Sequence, residues 1–458
     1  MISLKDVDIS RDEALSPSVR VIPPEKHPIT AEMIDRDALY ILRKLRDAGF
    51  AGYLVGGGVR DLYLGKTPRD FDISTEARPG QLRKLFPNSN TIGRRFRLVQ
   101  IFFRGGKTIE ISTLRSLSEH DLDGPEAVLA PNNTFGTLSE DARRRDLTIN
   151  SLFYEIENNT IIDYVDGSLD LDRGIIRIVG EPTKRIDRDP VRMMRAIRHA
   201  ARINFTIEEQ TWKAVCNRSH KLSLCPPSRL RDEFLKDLYS GATAPWFELA
   251  ADSGLLYSLF PFYRKIFNSS SKTIENPREL LAGICRIIDR TNSMSVKLDI
   301  HRQPDFFLIA LFLIPWAETR FGLISQFRKG APLFQLSKQI REEIDRTIGI
   351  SLNLRRSLRQ ETVSLLINLS QLIHNKHQNG WPKWLKKKSY FKKASLFYHF
   401  YLAATTGESI DHLLLEQERK PHNPEKRETK RQDRTPPAPK CKPAFAFNNK
   451  GGIFGFKK

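Results

Sequence analysis

The chain has 458 residues, which is enough for two or three domains with a sizeable core and too long for a small binding module. Lys and Arg together number 74 against 54 Asp and Glu, and the net charge of +20 favours a polyanionic partner. The longest apolar run, at 306–315, is too short to span a bilayer, so nucleic acid is favoured over a membrane. The four cysteines have no paired spacing and no secretory signal is evident, so we expect a cytoplasmic protein without a disulfide framework or zinc site.

The chain begins with a polar segment at 1–27, which we expect to form a mobile arm without visible chemistry. From Thr30, a suitable N-cap, apolar residues recur at helical spacing until Gly49. This pattern predicts one amphipathic helix, which should pack behind the first strand of a sheet.

The stretch 53–73 predicts a strand, a glycine turn, a short helix, a loop and a second strand. Asp70 and Asp72 alternate with apolar residues, so both carboxylates should lie on one face of the second strand. Close carboxylates repel each other unless a cation lies between them, and Mg²⁺ is the natural candidate. The amides of Gly57 and Gly58 can approach an anion closely, and Arg60 adds positive charge. A lone glycine run is usually a turn and a lone Asp-x-Asp a solvated edge, but together they predict nucleotidyl transfer.

A further strand is predicted at 108–113, where Glu110 faces away from the two flanking isoleucines. Glu110 could be a third carboxylate beside the aspartate pair, and an ordinary half-exposed strand glutamate is the alternative. The polar stretch 115–138 follows and predicts a long loop that closes over the substrate.

The sequence Gly-Gly-Gly-Val-Arg-Asp at 56–61, followed by Asp-Phe-Asp at 70–72, resembles the nucleotidyltransferase superfamily. More narrowly, it resembles the bacterial poly(A) polymerase and tRNA CCA-adding group. The segment 141–152 is similar to that family's Arg-Arg-Asp-Phe-Thr-x-Asn motif. This resemblance implies that Arg145, Asp146 and Asn150 hold the nucleotide sugar and phosphates near the acidic pair.

The segment 188–202 predicts a helix with Asp189 as its N-cap and a basic face, because arginines recur at three- and four-residue steps. It resembles the family's Glu-Asp-x-x-Arg-x-x-Arg element. The resemblance implies that Asp189 and Arg192 read the incoming base and that Arg195 also binds the nucleotide. A carboxylate can accept from an exocyclic amine while a guanidinium donates to the ring. Arg188 stands where the family usually has Glu.

From 206 to about 410 the chain is patterned for helices and carries no catalytic constellation. Within it, 381–393 interleaves aromatic residues with lysines, which suits either stacking and phosphate contacts on RNA or an ordinary surface helix. Residues 419–458 contain 12 Lys and Arg against 3 acidic residues, and we expect a basic tail that is disordered on its own.

We therefore predict an α+β protein in which a nucleotidyltransferase head with a small mixed sheet is followed by all-helical neck and body domains. The predicted ranges are a mobile arm at 1–27, the catalytic head at 28–155, a neck with the base-recognition helix at 156–250, an RNA-binding body at 251–410 and a basic tail at 411–458.

The resemblance implies template-independent addition of AMP from ATP to RNA 3′ ends, with release of pyrophosphate. It also implies two Mg²⁺ ions, one held by Asp70 and Asp72 and the other holding the triphosphate. The segment 92–98 resembles the polymerases rather than the CCA-adding enzymes, although Gln100 stands where the polymerase pattern usually has His. A tRNA CCA-adding enzyme is the alternative within the family. A non-catalytic RNA-binding protein with the same fold is an alternative of another class, and the retained acidic pair argues against it.

Overall fold

The structure is a computed structural model, and it describes residues 19–93, 98–116, 135–268, 276–378 and 380–418. Most of the loop predicted at 115–138, the centre of the polymerase-like segment 92–98 and the tail from 419 onward lie outside the described residues.

The head is built on an eight-stranded sheet with the strand order β1-β8-β7-β2-β3-β6-β5-β4. Strands β3 and β6 run parallel and the other neighbours are antiparallel, so the predicted mixed sheet is confirmed. The strands are β1 (Arg20–Ile22), β2 (Gly52–Val55), β3 (Asp72–Thr75), β4 (Ser89–Ile92), β5 (Leu98–Phe102), β6 (Thr108–Thr113), β7 (Phe153–Glu155) and β8 (Thr160–Asp163).

Two neighbouring strands at one side of the sheet lie outside the predicted range of the head. Strand β1 falls inside the predicted mobile arm, and its residues pair with β8, Arg20 opposite Asp163 and Ile22 opposite Ile161. Strand β8 in turn falls inside the predicted neck. The sheet is therefore larger than expected, and the head includes residues on both sides of the range 28–155.

Four helices flank the strands of the head: α1 (Arg36–Asp47), α2 (Gly57–Tyr63), α3 (Pro79–Leu85) and α4 (Leu138–Arg144). Helix α1 buries Ala38, Ile41 and Leu45, as its apolar spacing predicts. Its N-cap is Asp35, whose carboxylate accepts from two backbone N–H groups, so the predicted start at Thr30 is wrong. Thr30 instead precedes a separate short 3₁₀ turn.

Helix α5 (Gly167–Arg173) follows the sheet in the chain. After it come β9 (Ile175–Ile176) and β10 (Thr206–Ile207), which pair in parallel, and two helices lie between them in the sequence. These are α6 (Pro182–Arg188) and α7 (Val191–Ile203), and α8 (Glu209–Arg218) and α9 (Pro227–Leu238) follow them. The predicted helix from Asp189 begins later than expected, because Pro190 is the N-cap of α7 and Asp189 lies in the break after α6. The carboxylate of Asp189 is thus not a helix cap.

Every regular element of the described chain after β10 is helical, which confirms the helical domains. The remaining helices are α10 (Thr243–Asp252), α11 (Leu255–Leu259), α12 (Pro261–Asn268), α13 (Pro277–Lys297), α14 (Asp305–Phe312), α15 (Ile314–Phe321), α16 (Ala331–Arg346), α17 (Ile348–Ser351), α18 (Arg356–His374), α19 (Lys383–Lys386), α20 (Phe391–Thr406) and α21 (Asp411–Glu418). Among the residues that the structure describes, none of these helices is long and apolar enough to cross a bilayer.

Buried aromatic rings join the neck to the body. Phe234 on α9 contacts Trp246, Phe260 and Phe312, with ring centroids 4.9 to 5.8 Å apart. Because these rings are fully buried and come from four elements, α9 is fixed in the same core as the body helices.

Candidate active site

The acidic residues predicted from the sequence lie at the centre of the head sheet. Parallel pairing of β3 with β6 sets Asp72 opposite Glu110 and, two residues on, Ser74 opposite Ser112. The hydroxyl oxygens of the two serines are 2.9 Å apart. Since side chains alternate along a strand, Asp72 and Glu110 share the face on which these serines meet.

Asp70 lies in the loop before β3, so strand alternation does not position it. Its backbone is held instead by the second helix of the head: a Cβ added at Gly58 would lie 3.2 Å from the carbonyl oxygen of Asp70. A glycine at 58 therefore permits the loop to pack on α2. This close approach is a structural reason for Gly58 beyond the predicted phosphate contact.

Negative charge is concentrated around Asp72. Desolvation by the surrounding protein and the charge of Glu110 raise the pKa of Asp72 to about 6, with a smaller contribution from Asp70 and a partial offset from Arg145. In the described part of the chain, no group of three or more His, Cys, Asp or Glu is arranged to hold a metal ion. Two carboxylates are sufficient for Mg²⁺, which keeps waters and takes substrate phosphates as further ligands.

The glycine turn lies directly beside this carboxylate. Gly56 has a φ of +73°, and a Cβ there would lie 3.6 Å from both Asp72 Oδ2 and Arg145 Nη1. The turn leads into α2, which begins at Gly57, and Gly57 is only partly buried. Backbone amides, a carboxylate and a guanidinium thus surround one small space at the end of β2.

Arg145 is held at this space by contacts on several sides. Its Nη2 atom donates to Asp141 Oδ2 at 2.9 Å and to Ser74 Oγ at 3.2 Å, and its guanidinium lies over the ring of Phe153. The predicted proximity of Arg145 to the acidic pair thus follows from the fold. Ser74 and Asp141 were not predicted, although Ser74 follows Asp72 at the two-residue spacing of a shared strand face.

Arg60 differs from the prediction that it steers phosphates. Its side chain is 2% exposed, and its Nε and Nη2 atoms both donate to Asp61 Oδ1. Its Nη1 atom donates to Asn150 Oδ1 at 2.8 Å and lies 3.2 Å from His199 Nδ1. Arg60 therefore ties the head to α7 and orients Asn150, so these contacts do not support the prediction that it steers phosphates.

Asp146 is likewise engaged by protein contacts, although 23% of its side chain is exposed. Its Oδ1 atom is 2.6 Å from Arg192 Nη1, and its Oδ2 atom pairs with Arg195. Burial alone would raise the pKa of Asp146, but these two arginines hold it well below its usual range. Asp146 therefore joins the head to α7, and these ion pairs favour a positioning role over the contact with the nucleotide that the resemblance implies.

Asp189 and Arg192 retain unpaired polar atoms inside the protein. Asp189 Oδ2 accepts from Arg229 Nη2 at 2.7 Å, whereas Asp189 Oδ1 is buried with no partner among the described residues. Arg192 Nη1 bonds the backbone carbonyl of Arg145 at 3.2 Å, whereas its Nε is buried and unpaired within the same described set. Buried polar atoms without partners are uncommon, and here one acceptor and one donor are left without a protein partner.

Helix α9 contributes a charged face that the sequence analysis missed. Glu233 accepts from Arg195 and Arg198, and Asp237 accepts from Arg198 at 2.8 Å. Arg229, Glu233 and Asp237 are spaced four residues apart, so they form one stripe along the helix. The four-residue spacing could have indicated the stripe from the sequence. The arginines of α7 that pair with it could not, because they are known only from the packing of α7 against α9.

The aromatic and lysine-rich stretch 381–393 divides into two parts. Trp381 is held against the body, where its Nε1 donates to the carbonyl of Leu372 and its ring contacts Phe391. Trp384 is 51% exposed, and the lysines at 383, 386–388 and 392 are also exposed. The structure therefore removes Trp381 from the predicted stacking residues and leaves both interpretations open for the exposed part.

A mixed-sheet head with carboxylates on its central strands, joined to a helical neck and body, defines the architecture of a nucleotidyltransferase of the poly(A) polymerase type. Residues 52–177 match the "Poly A polymerase head domain", and residues 204–267 match the family described as "Probable RNA and SrmB- binding site of polymerase A". These matches make the chain similar to the bacterial poly(A) polymerases and CCA-adding enzymes.

Some of the similar curated proteins are named poly(A) polymerase, and others are named CCA-adding enzyme. "Poly(A) polymerase I" of Escherichia coli O6:H1 is 39% identical over 310 residues, which span 66% of this chain and 65% of that protein. The protein of the same name from Haemophilus influenzae is 36% identical over 305 residues, spanning 65% and 66%. "CCA-adding enzyme" of Lactobacillus gasseri is 37% identical over 219 residues, spanning 48% and 54%. The chain thus covers less than two thirds of the length of these relatives.

Solved structures with this fold are more distant in sequence. The CCA-adding enzyme of Bacillus stearothermophilus in complex with CTP is 23% identical, covers 85% of this chain and 82% of its own, and has a TM-score of 0.59. A tRNA nucleotidyltransferase complexed with a primer tRNA and an incoming ATP analog is 21% identical, with coverage of 83% and 98% and a TM-score of 0.54. At these identities the likeness establishes the fold.

Proposed function

We propose that this protein adds AMP from ATP repeatedly to RNA 3′ ends and releases pyrophosphate. The observation that carries the proposal is the group at the end of β2, where the glycine turn, Asp72 and Arg145 surround one space and Glu110 lies beside Asp72. Relatives named poly(A) polymerase I, up to 39% identical, support adenylate as the group transferred.

The residues at this group fit a magnesium site, because only oxygen donors are offered and negative charge there is poorly compensated by the protein. Asp70 and Asp72 would hold the metal, whose chemistry when bound is to activate the attacking hydroxyl and stabilise the charge of the leaving pyrophosphate. Glu110 stays a candidate third carboxylate on the same face.

The chain's own part in the reaction is to position the nucleotide. Arg145 donates toward the triphosphate from a site fixed by Asp141 and Ser74, so its position is set before substrate arrives. The amides at Gly57 and Gly58 border the same space. Asn150 is oriented by Arg60 and lies one 3₁₀ turn beyond Arg145, where it can contact the sugar.

The base is read by the unpaired atoms of Asp189 and Arg192. Adenine presents a donor at its exocyclic amine and an acceptor at the adjacent ring nitrogen, which match a free carboxylate oxygen and a free guanidinium N–H. Guanine and uracil present the reverse arrangement and would leave these atoms unsatisfied. Arg195, bound to Asp146 and Glu233, supports the reading helix rather than contacting the nucleotide.

The CCA-adding reaction is the second candidate function. Cytosine shares the donor and acceptor pattern of adenine, so the unpaired atoms alone accept either base. The CCA-adding relative with 37% identity over about half the chain favours this candidate, but the poly(A) polymerase relatives match a longer stretch of the chain.

The test is incorporation of each labelled nucleotide into a generic RNA oligonucleotide by the wild type, Asp70→Asn, Asp72→Asn and the control Asp47→Asn. Asp47 lies on the exposed surface of α1 and pairs only with its neighbour Arg46 among the contacts described for it. We expect AMP incorporation by the wild type and the control and none above background by the other two. Near-normal incorporation by either site variant would contradict the proposed chemistry.

A further inference from the structure

Of the two carboxylate oxygens of Asp189, one accepts a hydrogen bond from Arg229 and the other has no partner among the described residues. Arg229 reaches from the first turn of α9 and donates from Nη2 to Asp189 Oδ2 at 2.7 Å. Asp189 Oδ1 has no partner within the described residues, although it is buried. Arg229 therefore determines which oxygen is free and in which direction it points.

The backbone around Asp189 does not fix the carboxylate by itself. Asp189 lies in the break between α6 and α7, with φ −139° and ψ 86°, and its side chain makes no helix-capping bond. A side chain in such a break can rotate unless another group binds it. The guanidinium of Arg229 supplies that bond, and the two side chains are 28% and 16% exposed, so water competes little for it.

Arg229 is itself held in place by the packing of α9. The same helix carries Glu233 and Asp237, which bind Arg195 and Arg198 of α7, and Phe234, which is fully buried among body aromatics. The distance from α9 to the base-recognition residues is thus set by the core and not by a surface loop. The stripe of α9 acts as a rigid support for Asp189.

We propose that Arg229 is the positioning residue that sets nucleotide selectivity, by binding Asp189 Oδ2 and presenting Asp189 Oδ1 to the exocyclic amine of the base. The inference rests on the proposed function in taking Asp189 and Arg192 as the base-reading pair. Adenine and cytosine offer the same polar pattern but differ in the distance from sugar to amine. A fixed carboxylate can therefore distinguish them, whereas a rotating one accepts both.

The test compares Arg229→Ala and Arg229→Lys with the matched control Arg231→Ala. Arg231 belongs to the same helix, but it binds Asp232 and the carbonyl of Asn353, away from Asp189. For each variant, kcat and KM are measured for ATP and CTP, together with the KM for RNA. Binding of ATP, CTP and GTP is measured separately by calorimetry.

For Arg229→Ala we expect the KM for ATP to rise and the preference for ATP over CTP to fall, each by about tenfold or more, because a misplaced contact of this kind costs on the order of tenfold to a hundredfold. The kcat at saturating ATP and the KM for RNA should stay within about threefold of wild type by the same reasoning, since neither depends on this contact. Arg229→Lys keeps the charge without the planar fork and should recover part of the preference, while Arg231→Ala should match wild type.

If both Arg229 variants keep the wild-type ratio of kcat/KM for ATP to kcat/KM for CTP, the inference is wrong and the proposed function is unaffected. If Arg229→Ala does not fold, Arg229→Lys decides alone, and a wild-type ratio in it counts against the proposal. If the wild type adds C, C and A or nothing at all, the proposed function fails. The inference is then judged by calorimetry, where loss of discrimination between ATP and GTP in Arg229→Ala supports it and retained discrimination refutes it.

Discussion

Glu233 carries the strongest prediction about stability, because it is a buried carboxylate between two arginines. It is 2% exposed and bridges Arg195 and Arg198. Burial alone would raise the pKa of Glu233, but Arg198, Arg195 and Lys236 outweigh burial and lower the pKa to about 2. A carboxyl whose pKa falls from 4.5 to about 2 on folding contributes about 3 kcal/mol to the free energy of unfolding at pH 7.

We therefore expect Glu233→Gln to lower the free energy of unfolding by about 3 kcal/mol at pH 7, which agrees with the loss when one partner of a buried ion pair is removed. Because the folded pKa is lower than the unfolded one, this stabilisation is present above pH 4.5 and is lost as the pH falls toward 2. The difference between wild type and variant should narrow over that window.

The assay is urea unfolding followed by tryptophan fluorescence, at pH 7 and then at decreasing pH while the wild type still folds. Trp246 is fully buried and contacts the ring of Phe234, the residue after Glu233, so it reports on this region. The control is Glu209→Gln, whose partner Lys213 is exposed and whose loss should change stability by less than about 0.5 kcal/mol. A loss below about 1 kcal/mol in Glu233→Gln, or a difference that widens at acid pH, would refute the reasoning.

Three other predictions follow from the site and the charge of the chain. Gly58→Ala should reduce the rate of AMP incorporation by about tenfold or more while the protein still folds, because the new Cβ would lie 3.2 Å from the carbonyl oxygen of Asp70 and displace the loop that carries Asp70. A wild-type rate would contradict this prediction. Asp72→Asn should melt no lower than wild type without metal and should lose the rise in melting temperature that Mg²⁺ gives the wild type, while an equal rise in both would contradict the metal assignment. Changing the exposed lysines at 386–388 to alanine, or deleting 419–458, should weaken RNA binding and flatten its salt dependence. For the three lysines, the slope of the logarithm of the binding constant against the logarithm of the salt concentration should fall by up to about 2, and an unchanged slope would mean that the segment does not touch RNA.

Local pattern accounts for the parts of the site that the sequence predicted. Each of Asp72 and Glu110 is followed by a buried isoleucine on its own strand, so the face of each carboxylate is readable from a few neighbouring residues. The pairing of β3 with β6 then sets the two side by side. Core positions of α1 were predictable for the same reason, since Ile41 and Leu45 follow helical spacing.

Contacts distant in sequence account for the parts that could not be predicted. Arg60 follows the glycines as a phosphate ligand would, but Asn150 and His199, 90 and 139 residues away, bury it. Asp189 precedes a proline as an N-cap does, yet its carboxylate accepts a hydrogen bond from Arg229, 40 residues downstream. Burial and pairing of this kind depend on how helices pack, which no local pattern of charge specifies.

The edge strand β1 illustrates the same limit in the fold. Its three residues are mostly exposed and follow a polar segment, so nothing local distinguishes them from an arm. They become a strand because β8, 140 residues later, presents an open edge to pair with.

If the protein extends RNA ends with adenylate alone, sequencing its products will show this. Wild-type protein is given all four nucleotides with Mg²⁺ and either an arbitrary RNA oligonucleotide or a tRNA that lacks its terminal CCA. We expect homopolymeric A tails on both RNAs that lengthen with time. Products that stop after C, C and A on the tRNA, with no extension of the arbitrary RNA, would contradict this expectation.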